Sequence, residues 1–302
     1  MAIAGGIDLG GTKIEAQCFD SDWIVVNKRR VPTPKTYPDL VSALVGLVEW
    51  LREGHKDLPV GIAAAGMPNP SNGQWITANL PADGKPFVTD LADRTGPGII
   101  WLNDCRAFAQ AETMFGAGTP QGVVLSLLLG TGIGGAVTVD GRLINDGTGQ
   151  SGEFGHMPLP ATLVNDLGLP LITCGCGRVG CYETCGSGPG MALLAQHLTG
   201  RDVTTQEITG DRDNPKNKKV WDAWCRVVAA LIFELQVVVD PGVIVLGGGM
   251  SQISGLVPAL DALLRGMAWD GFAVPDIRLA ARGETAATLG AAYASWKAHT
   301  NV

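Results

Sequence analysis

Three cysteines and one histidine in this sequence have the spacing of a metal site. Cys174, Cys176 and Cys181 form the pattern Cys-x-Cys-x4-Cys within eight residues, and His156 lies upstream of them. Four nitrogen and sulfur ligands that leave no position for water are typical of a structural Zn²⁺ ion. The glycines between the cysteines allow the tight loop that such ligands need. The alternative is a group of buried free thiols.

Three glycine-rich turns follow segments with a strand-like apolar pattern. Glycine lets backbone N–H groups approach phosphate oxygens closely. The first turn, Asp8-Leu9-Gly10-Gly11-Thr12-Lys13, adds a carboxylate and two donors, Thr12 and Lys13. The second covers residues 130–135 and the third is Gly247-Gly248-Gly249. Ordinary hairpin or strand-to-helix turns are the alternative at each place.

The second turn matches Gly-x-Gly-x-x-Gly at positions 130, 132 and 135. A dinucleotide-binding version of this motif lies between a strand and a helix. Here the following residues, 136–139, predict a second strand and not a helix. The pattern therefore favours a phosphate-holding β-turn over a dinucleotide site.

Asn103 and Asp104 follow a predicted strand at residues 99–102. Ligands of α/β sheets collect beyond the carboxyl ends of the strands, where a carboxylate can act as a general base. The amide of Asn103 can hydrogen-bond a hydroxyl group. Alternatively the pair caps a helix predicted at 107–115, and one pair of residues can do both.

The apolar periodicity alternates strands with helices, which predicts an α/β fold. The predicted strands are 3–7, 14–19, 60–64, 99–102, 123–129, 136–139 and 243–246. The predicted helices are 40–52, 107–115, 220–239 and 285–298, and the polar stretch 211–219 is predicted to be a surface loop. Because each half begins with strand, glycine-rich turn and strand, we expect domains at 1–117 and 118–284, with a helix at 285–302 packing on the first.

The overall composition argues against several classes of function and location. The chain has 302 residues, a net charge of −7, and seven cysteines. An acidic protein is a poor match for nucleic acid or an anionic membrane. The odd cysteine count argues against a complete disulfide framework. With no signal peptide pattern and only short apolar runs, we expect a cytoplasmic protein.

Together these motifs resemble the ROK family (repressors, open reading frames and kinases) of the hexokinase–actin–Hsp70 ATPase superfamily. The resemblance spans nearly the whole chain. It rests on Ile7–Lys13, Leu102-Asn103-Asp104, 130–135, Gly152-Glu153-Phe154-Gly155-His156, Cys174–Glu183 and Leu246-Gly247-Gly248-Gly249.

The resemblance implies a sugar kinase that uses ATP and Mg²⁺, with a two-domain actin-like (ribonuclease H-like) fold and a zinc-bound loop. Asp104 is then the general base and His156 both a zinc and a sugar ligand. Asp8 acts near Mg²⁺. The implied sugar-binding residues are Asn103, Asp104, Glu153, His156 and Glu183. The expected nucleotide-binding residues are Asp8, Gly10, Gly11, Thr12, Lys13, Gly130, Thr131, Gly132 and Gly248.

Within the family, residues 78–86 resemble those of bacterial N-acetylglucosamine kinases, which predicts phosphorylation of that sugar at its 6-hydroxyl. Asn79 supplies a polar partner for the acetamide, and Leu80 and Pro81 an apolar wall. Glucose, fructose, mannose, glucosamine and N-acetylmannosamine remain alternatives. Arg106 departs from the family, whose kinases usually read Asn-Asp-Ala-Asn where this chain reads Asn103-Asp104-Cys105-Arg106.

The family also contains repressors, which carry a helix-turn-helix module before the sugar domain. Asp8 already belongs to the first turn, so we expect no such module and no nucleic-acid partner. A sugar sensor without activity is a remote alternative. The expected partners are a sugar, ATP and a second copy of the chain in a homodimer.

Overall fold

The computed structural model of the chain describes residues 1–144 and 149–300. Its strands are β1 (Ala4–Leu9), β2 (Lys13–Phe19), β3 (Val25–Pro32), β4 (Val60–Ala64), β5 (Met67–Pro68), β6 (Trp75–Ile76), β7 (Ile100–Asn103), β8 (Val123–Leu129), β9 (Ile133–Val139), β10 (Arg142–Leu143), β11 (Val243–Gly247) and β12 (Asp276–Leu279).

The helices are α1 (Tyr37–Leu51), α2 (Phe87–Thr95), α3 (Asp104–Phe115), α4 (Ala161–Leu167), α5 (Glu183–Gly186), α6 (Gly188–Thr199), α7 (Thr205–Gly210), α8 (Pro215–Val239), α9 (Leu256–Met267) and α10 (Ala286–Thr300). Short 3₁₀ turns cover Phe154–His156, Gly249–Gln252 and Gly283–Thr285. None of the helices within the described ranges combines the length and hydropathy needed to span a bilayer.

The chain divides into two compact units. The first contains Met1–Gly116, Gly141–Ser151 and Arg282–Val302, and the second contains Ala117–Asp140 and Gly152–Ala281. The domain boundaries expected from the sequence stay a prediction. The structure groups the segment Gly141–Ser151 with the first unit, which the sequence did not suggest.

The first unit is built on a five-stranded mixed sheet in the order β3-β2-β1-β4-β7. Strand β2 runs antiparallel to both β1 and β3, and β4 and β7 continue the sheet in parallel with β1. Helix α1 turns seven apolar side chains into the core on this sheet. Helix α10 packs against β1, β4 and α3.

The second unit repeats this pattern with four strands in the order β9-β8-β11-β12. Strands β8 and β9 form an antiparallel hairpin, while β11 pairs in parallel with β8 and with β12. Every residue of β11 is buried, and the long helix α8 packs against α6 and α9. Because both units start with a hairpin that leads into parallel strands, the glycine turns close corresponding hairpins.

Three helices begin earlier than predicted, and one of them is α1, which begins at Tyr37 and not at residue 40. The surface loop predicted at 211–219 is wrong from residue 215 onward, because Asn214 caps α8 through the N–H of Lys216 and Pro215 occupies the first helical position. Helix α3 begins at Asp104 and not at residue 107, because the side chain of Asn103 caps it.

Candidate active site

The first glycine turn joins β1 to β2 and presents unpaired backbone donors. The N–H of Gly10 donates to the carbonyl of Lys13 over 3.1 Å, which closes the turn. Among the described residues, the N–H groups of Gly11 and Thr12 donate to no protein acceptor. Two adjacent free N–H groups are suited to the oxygens of a phosphate group.

Asp8 lies just before this turn and opposite Glu15 in the hairpin. The pKa of the Asp8 carboxyl is raised to about 6, mainly by burial and then by the carboxylate of Asp104, while Lys13 acts to lower it. A partly buried carboxyl beside other carboxylates gains most from a cation, which restores its charged form. The environment of Asp8 therefore fits the predicted position near Mg²⁺.

Asn103 and Asp104 lie where β7 ends and α3 begins. The N–H of Cys105 donates to the Oδ1 atoms of both Asn103 and Asp104, each over 2.9 Å. The amide nitrogen of Asn103 also donates to the carbonyl of Gly66. Asn103 is therefore a helix cap, as the alternative interpretation predicted. The second carboxylate oxygen of Asp104 accepts no hydrogen bond from the described residues.

The loop predicted to bind an acetamide group differs from its expected form. Asn79 is exposed, and its carbonyl lies 3.3 Å from where a Cβ on Gly11 would be. Leu80 is only 6% exposed and belongs to the apolar core of the first unit. The apolar wall expected from Leu80 is therefore wrong, because its side chain is already used in the core. Asn79 and the first glycine turn, in contrast, are close neighbours.

Arg106, which departs from the family pattern, is only 1% exposed. Its guanidinium donates to the Oγ of Ser151 over 2.7 Å and to the carbonyl of Ile144 over 3.0 Å. A buried guanidinium that bonds to backbone and hydroxyl oxygens ties Ile144 and Ser151 to the first turn of α3. The side chain is thus directed at the protein itself.

The second glycine turn, residues 130–132, joins β8 to β9. The carbonyl of Gly130 accepts the N–H of Gly188 over 2.8 Å, and the N–H of Gly130 donates to the carbonyl of Gly132. Within residues 1–144 and 149–300, the N–H groups of Thr131 and Gly132 donate to no protein acceptor. This turn therefore offers the same pair of free donors as the first.

The third turn packs directly on the second. Gly248 has a φ of +82°, and a Cβ there would lie 2.3 Å from the carbonyl oxygen of Leu129. Only glycine fits both the left-handed backbone and this approach. Gly248 is thereby held beside the turn that the sequence assigned to the nucleotide.

The four predicted metal ligands converge within the second unit. One ligand atom from each of His156, Cys174, Cys176 and Cys181 lies within 4.8 Å of the others. The Sγ atoms of Cys176 and Cys181 are 3.7 Å apart, and Nδ1 of His156 is 3.5 Å from Sγ of Cys174. Tetrahedral zinc places two sulfur ligands about 3.8 Å apart and a sulfur and a nitrogen about 3.6 Å apart. The donor set fits zinc.

Local backbone contacts shape the loop of residues 174–181 that carries the three cysteines (the metal loop). The N–H of Cys174 donates to the carbonyl of Arg178 over 2.7 Å, and Gly177 and Gly180 have positive φ angles of 83° and 75°. Burial raises the pKa of the Cys174 thiol, which disfavours the thiolate without a bound cation. The backbone N–H of Arg178 lowers the pKa of the Cys176 thiol.

The ring of His156 presents its two nitrogens to different groups. Nδ1 faces the cysteines, and Nε2 lies 3.7 Å from Oε2 of Glu153. Glu183, at the start of α5, accepts a hydrogen bond from the N–H of Ile133 over 2.9 Å. Three of the predicted sugar ligands thus lie around the metal loop and the second turn, all within the second unit.

A cavity of about 580 Å³ lies beside the second turn and was not predicted from the sequence. Its volume suits a small ligand such as a nucleoside. The residues lining it are Gly130, Thr131, Gly188, Pro189, Ala192, Thr204, Thr205, Gln206, Thr209, Gly249, Met250 and Ile253. No sequence motif connects these segments, so the glycine turns were the only sequence signal for the position of this cavity. Another cavity of about 440 Å³ between α4, α8 and α9 contains none of the predicted site residues.

The predicted residues thus form one group in each unit. Together, the fold and these motifs are typical of a nucleotide-dependent enzyme of the α/β class. The chain belongs to the ROK family, whose model matches residues 4–298. This confirms the resemblance stated from the sequence.

Two relatives match along most of the chain. An N-acetylgalactosamine kinase from Shewanella sp. (strain ANA-3) is 35% identical over 95% of this chain and 94% of its own length. An N-acetyl-D-glucosamine kinase from Pectobacterium atrosepticum is also 35% identical, over 95% of this chain and 97% of its own length.

Two solved structures share the fold. A ROK hexokinase from Thermus thermophilus has a TM-score of 0.87 and 32% identity, with 100% of both chains covered. A ROK family glucokinase from Streptomyces griseus, solved with glucose and AMPPNP, has a TM-score of 0.74 and 26% identity, covering 96% of this chain and 98% of its own.

The raised pKa of Asp8 predicts a pH-dependent stability in protein free of nucleotide and metal. The folded-state pKa of about 6 exceeds the ordinary value of 3.8, so the folded state holds this proton more tightly. The stabilisation is present below pH 3.8 and is lost as the pH rises through 6. Asp8→Asn cannot ionise and should raise the free energy of unfolding by about 1–3 kcal/mol at pH 7.5, with little change at pH 4.

Urea unfolding in EDTA at these two pH values measures the effect. Asp93→Asn is the matched control, because it removes the same charge from an exposed position of α2. A gain for Asp8→Asn that is the same at both pH values would contradict the assigned pKa.

Proposed function

We propose that this protein transfers the γ-phosphoryl group of ATP to the 6-hydroxyl of a hexose. The observation that carries the proposal is the carboxylate of Asp104. One of its oxygens is held by the N–H of Cys105, and the other accepts no hydrogen bond from the described residues. The sugar kinases among its relatives support the same reaction class.

Asp104 acts as the general base in this proposal. Its free oxygen accepts the proton of the sugar 6-hydroxyl while the hydroxyl oxygen attacks the γ-phosphorus of ATP and the bond from this phosphorus to ADP breaks. The N–H of Cys105 holds the carboxylate in place. Because the transferred group passes through a loose transition state, the protein contributes mainly position and charge.

The glycine turns bind the phosphate groups. The free N–H groups of Gly11 and Thr12 in one turn, and of Thr131 and Gly132 in the other, are the donors. Asp8 would hold Mg²⁺, which supplies charge neutralisation at the phosphate oxygens. The cavity beside Thr131 accommodates the nucleoside.

N-acetylglucosamine is the proposed preferred sugar. Asn103, Asp104, Glu153, His156 and Glu183 bind its hydroxyl groups, and the exposed amide of Asn79 meets the acetamide. A relative named N-acetyl-D-glucosamine kinase supports this choice. Because another relative is named N-acetylgalactosamine kinase, the 4-epimer belongs in every substrate comparison.

A zinc ion is proposed at His156, Cys174, Cys176 and Cys181. The sulfur and nitrogen separations match those of a tetrahedral site. The ion would have a structural role, since four protein ligands leave no open position. Nδ1 of His156 would bind it, which leaves Nε2 directed towards Glu153 and available to a sugar hydroxyl.

A homodimer and a cytoplasmic location complete the proposal. The second unit exposes large apolar side chains near the ends of α8 and α9, with Val238 77% and Trp269 56% exposed. Contact with a second copy would cover them. ATP and reduced cysteine ligands are both typical of the cytoplasm.

Replacing the base tests the reaction. Asp104→Asn should lower turnover by roughly 10²–10⁴-fold while sugar affinity changes little, because the amide keeps the shape but cannot take the proton. ADP release measures turnover and calorimetry measures sugar binding. Asp93→Asn should keep normal turnover. Near-normal turnover in Asp104→Asn would remove this residue as the base.

Replacing one proposed zinc ligand tests the metal site. Wild-type protein prepared without chelator should contain about one zinc per chain by plasma mass spectrometry. Cys176→Ser should lose most of the zinc and unfold at a lower temperature, because the loop loses a ligand. Cys18→Ser, a thiol in β2 of the other unit, should keep the zinc. A wild-type protein without zinc would disprove the site.

A substrate panel tests the sugar. The kcat/KM for N-acetylglucosamine should exceed those for N-acetylgalactosamine, N-acetylmannosamine, glucosamine, glucose, mannose and fructose, because a pocket that bonds an acetamide penalises sugars without it. Asn79→Ala should narrow the gap to glucose by about 10-fold, whereas Asn27→Ala on β3 should not. Equal losses for all sugars in Asn79→Ala would reject its role.

A further inference from the structure

The carboxylate of Glu183 joins the proposed sugar site to the second glycine turn. Its Oε2 accepts the N–H of Ile133 over 2.9 Å, and its Oε1 lies 3.9 Å from Sγ of Cys174. Ile133 follows directly on Thr131 and Gly132, whose N–H groups are the free donors of this turn. One carboxylate therefore contacts the metal loop on one side and the phosphate-binding backbone on the other.

Gly132 makes this contact possible. A Cβ at this position would lie 2.7 Å from Oε2 of Glu183, closer than real Cβ atoms approach an oxygen. No positive φ is required there, so it is the space for the carboxylate that excludes a side chain. A Cβ on Gly130, two residues earlier, would instead enter open space, with no heavy atom within 4 Å. The two glycines of one turn thus differ in whether they face Glu183.

Ile133 is held by other segments as well. A Cβ on Gly155 would lie 2.5 Å from the carbonyl oxygen of Ile133, and one on Gly186 would lie 2.9 Å from its Cδ1. Gly155 lies in the 3₁₀ turn that ends at His156, and Gly186 ends the helix that begins at Glu183. The elements that carry the proposed sugar ligands therefore pack directly on the end of the phosphate turn.

We propose that Glu183 is a positioning residue through which an occupied sugar site tightens the binding of ATP. This rests on the proposed function, in which Glu183 binds a sugar hydroxyl. A hydroxyl that donates to this carboxylate restrains it, and the bond from Ile133 N–H then restrains the turn whose donors face the phosphates. By linkage, bound ATP tightens sugar binding by the same factor.

The test compares the affinity of AMPPNP with and without saturating N-acetylglucosamine, by calorimetry with Mg²⁺ present. In the wild-type protein the sugar should tighten AMPPNP binding by roughly 10-fold. Gly132→Ala should bring this ratio close to one, because its methyl group displaces the carboxylate from Ile133, while sugar affinity alone changes much less. A purely structural role for Glu183 would move stability or affinity but not the ratio.

Gly130→Ala is the matched control. Its methyl group enters open space, so any loss of AMPPNP affinity should be equal with and without sugar, and the ratio should stay at the wild-type value. Glu183→Asp shortens the carboxylate by one methylene and should also lose the ratio at saturating sugar, which decides the matter if Gly132→Ala does not fold.

Three results would overturn the coupling. They are a wild-type ratio of one with both ligands bound, a wild-type ratio retained in Gly132→Ala or Glu183→Asp, and an equal loss of the ratio in Gly130→Ala. Failure of the wild-type protein to bind AMPPNP or any hexose would instead reject the proposed function, and the coupling with it.

Discussion

The tightest packing in the first unit is the contact of the C-terminal helix α10 with neighbouring backbone at positions that have room only for glycine. A Cβ on Gly6 would lie 1.9 Å from the carbonyl oxygen of Thr288, and one on Gly61 would lie 1.9 Å from that of Ala291. A Cβ on Gly290 would lie 1.8 Å from the carbonyl oxygen of Ala107. Helix α10 therefore approaches β1, β4 and α3 most closely at glycines, and the small side chains of Ala63, Ala107 and Ala291 form a buried cluster in the same contact.

This contact places the two carboxylates of the first unit. Strand β1 leads to Asp8 and the first glycine turn, and α3 begins at Asp104. Since both elements pack on the same helix through glycines and small alanine side chains, their separation is set mainly by backbone geometry and cannot relax easily. Asp104 is close enough to raise the pKa of Asp8, and the unit tolerates this repulsion. Such strain is common where a cation or a reacting group is bound.

The second unit has similar close backbone contacts around its glycine turn at residues 130–132. Gly248 meets the backbone of Leu129, and a Cβ on Gly152 would lie 1.9 Å from the carbonyl oxygen of Gly135. Because backbone packs closely on β8 and β9 on either side of the turn, the free N–H groups of the turn are held in place before any ligand arrives. Preorganised donors lose little energy to reorganisation during a reaction.

Local patterns were enough to predict the α/β class, the strand–turn–strand opening of each unit, the cluster of His156 with three cysteines and the cap at Asn103. Strand periodicity, glycine turns and ligand spacing are properties of neighbouring residues, so they can be read without the fold. The loop prediction at 211–219 was wrong because α8 begins at Pro215, although Asn214 and Pro215 are themselves a local signal for the start of a helix.

Other features depended on contacts between distant parts of the chain. Leu80 lies in the core and not in a sugar pocket, Arg106 is buried against Ser151, and Glu183 bonds to Ile133 fifty residues away. The nucleoside-sized cavity draws on segments from Gly130 to Ile253. Spacing along a sequence carries no information on such meetings, because they form only when sheets and helices pack. The chemistry of the motifs was therefore local, whereas the choice of which side chains face a ligand was made by packing.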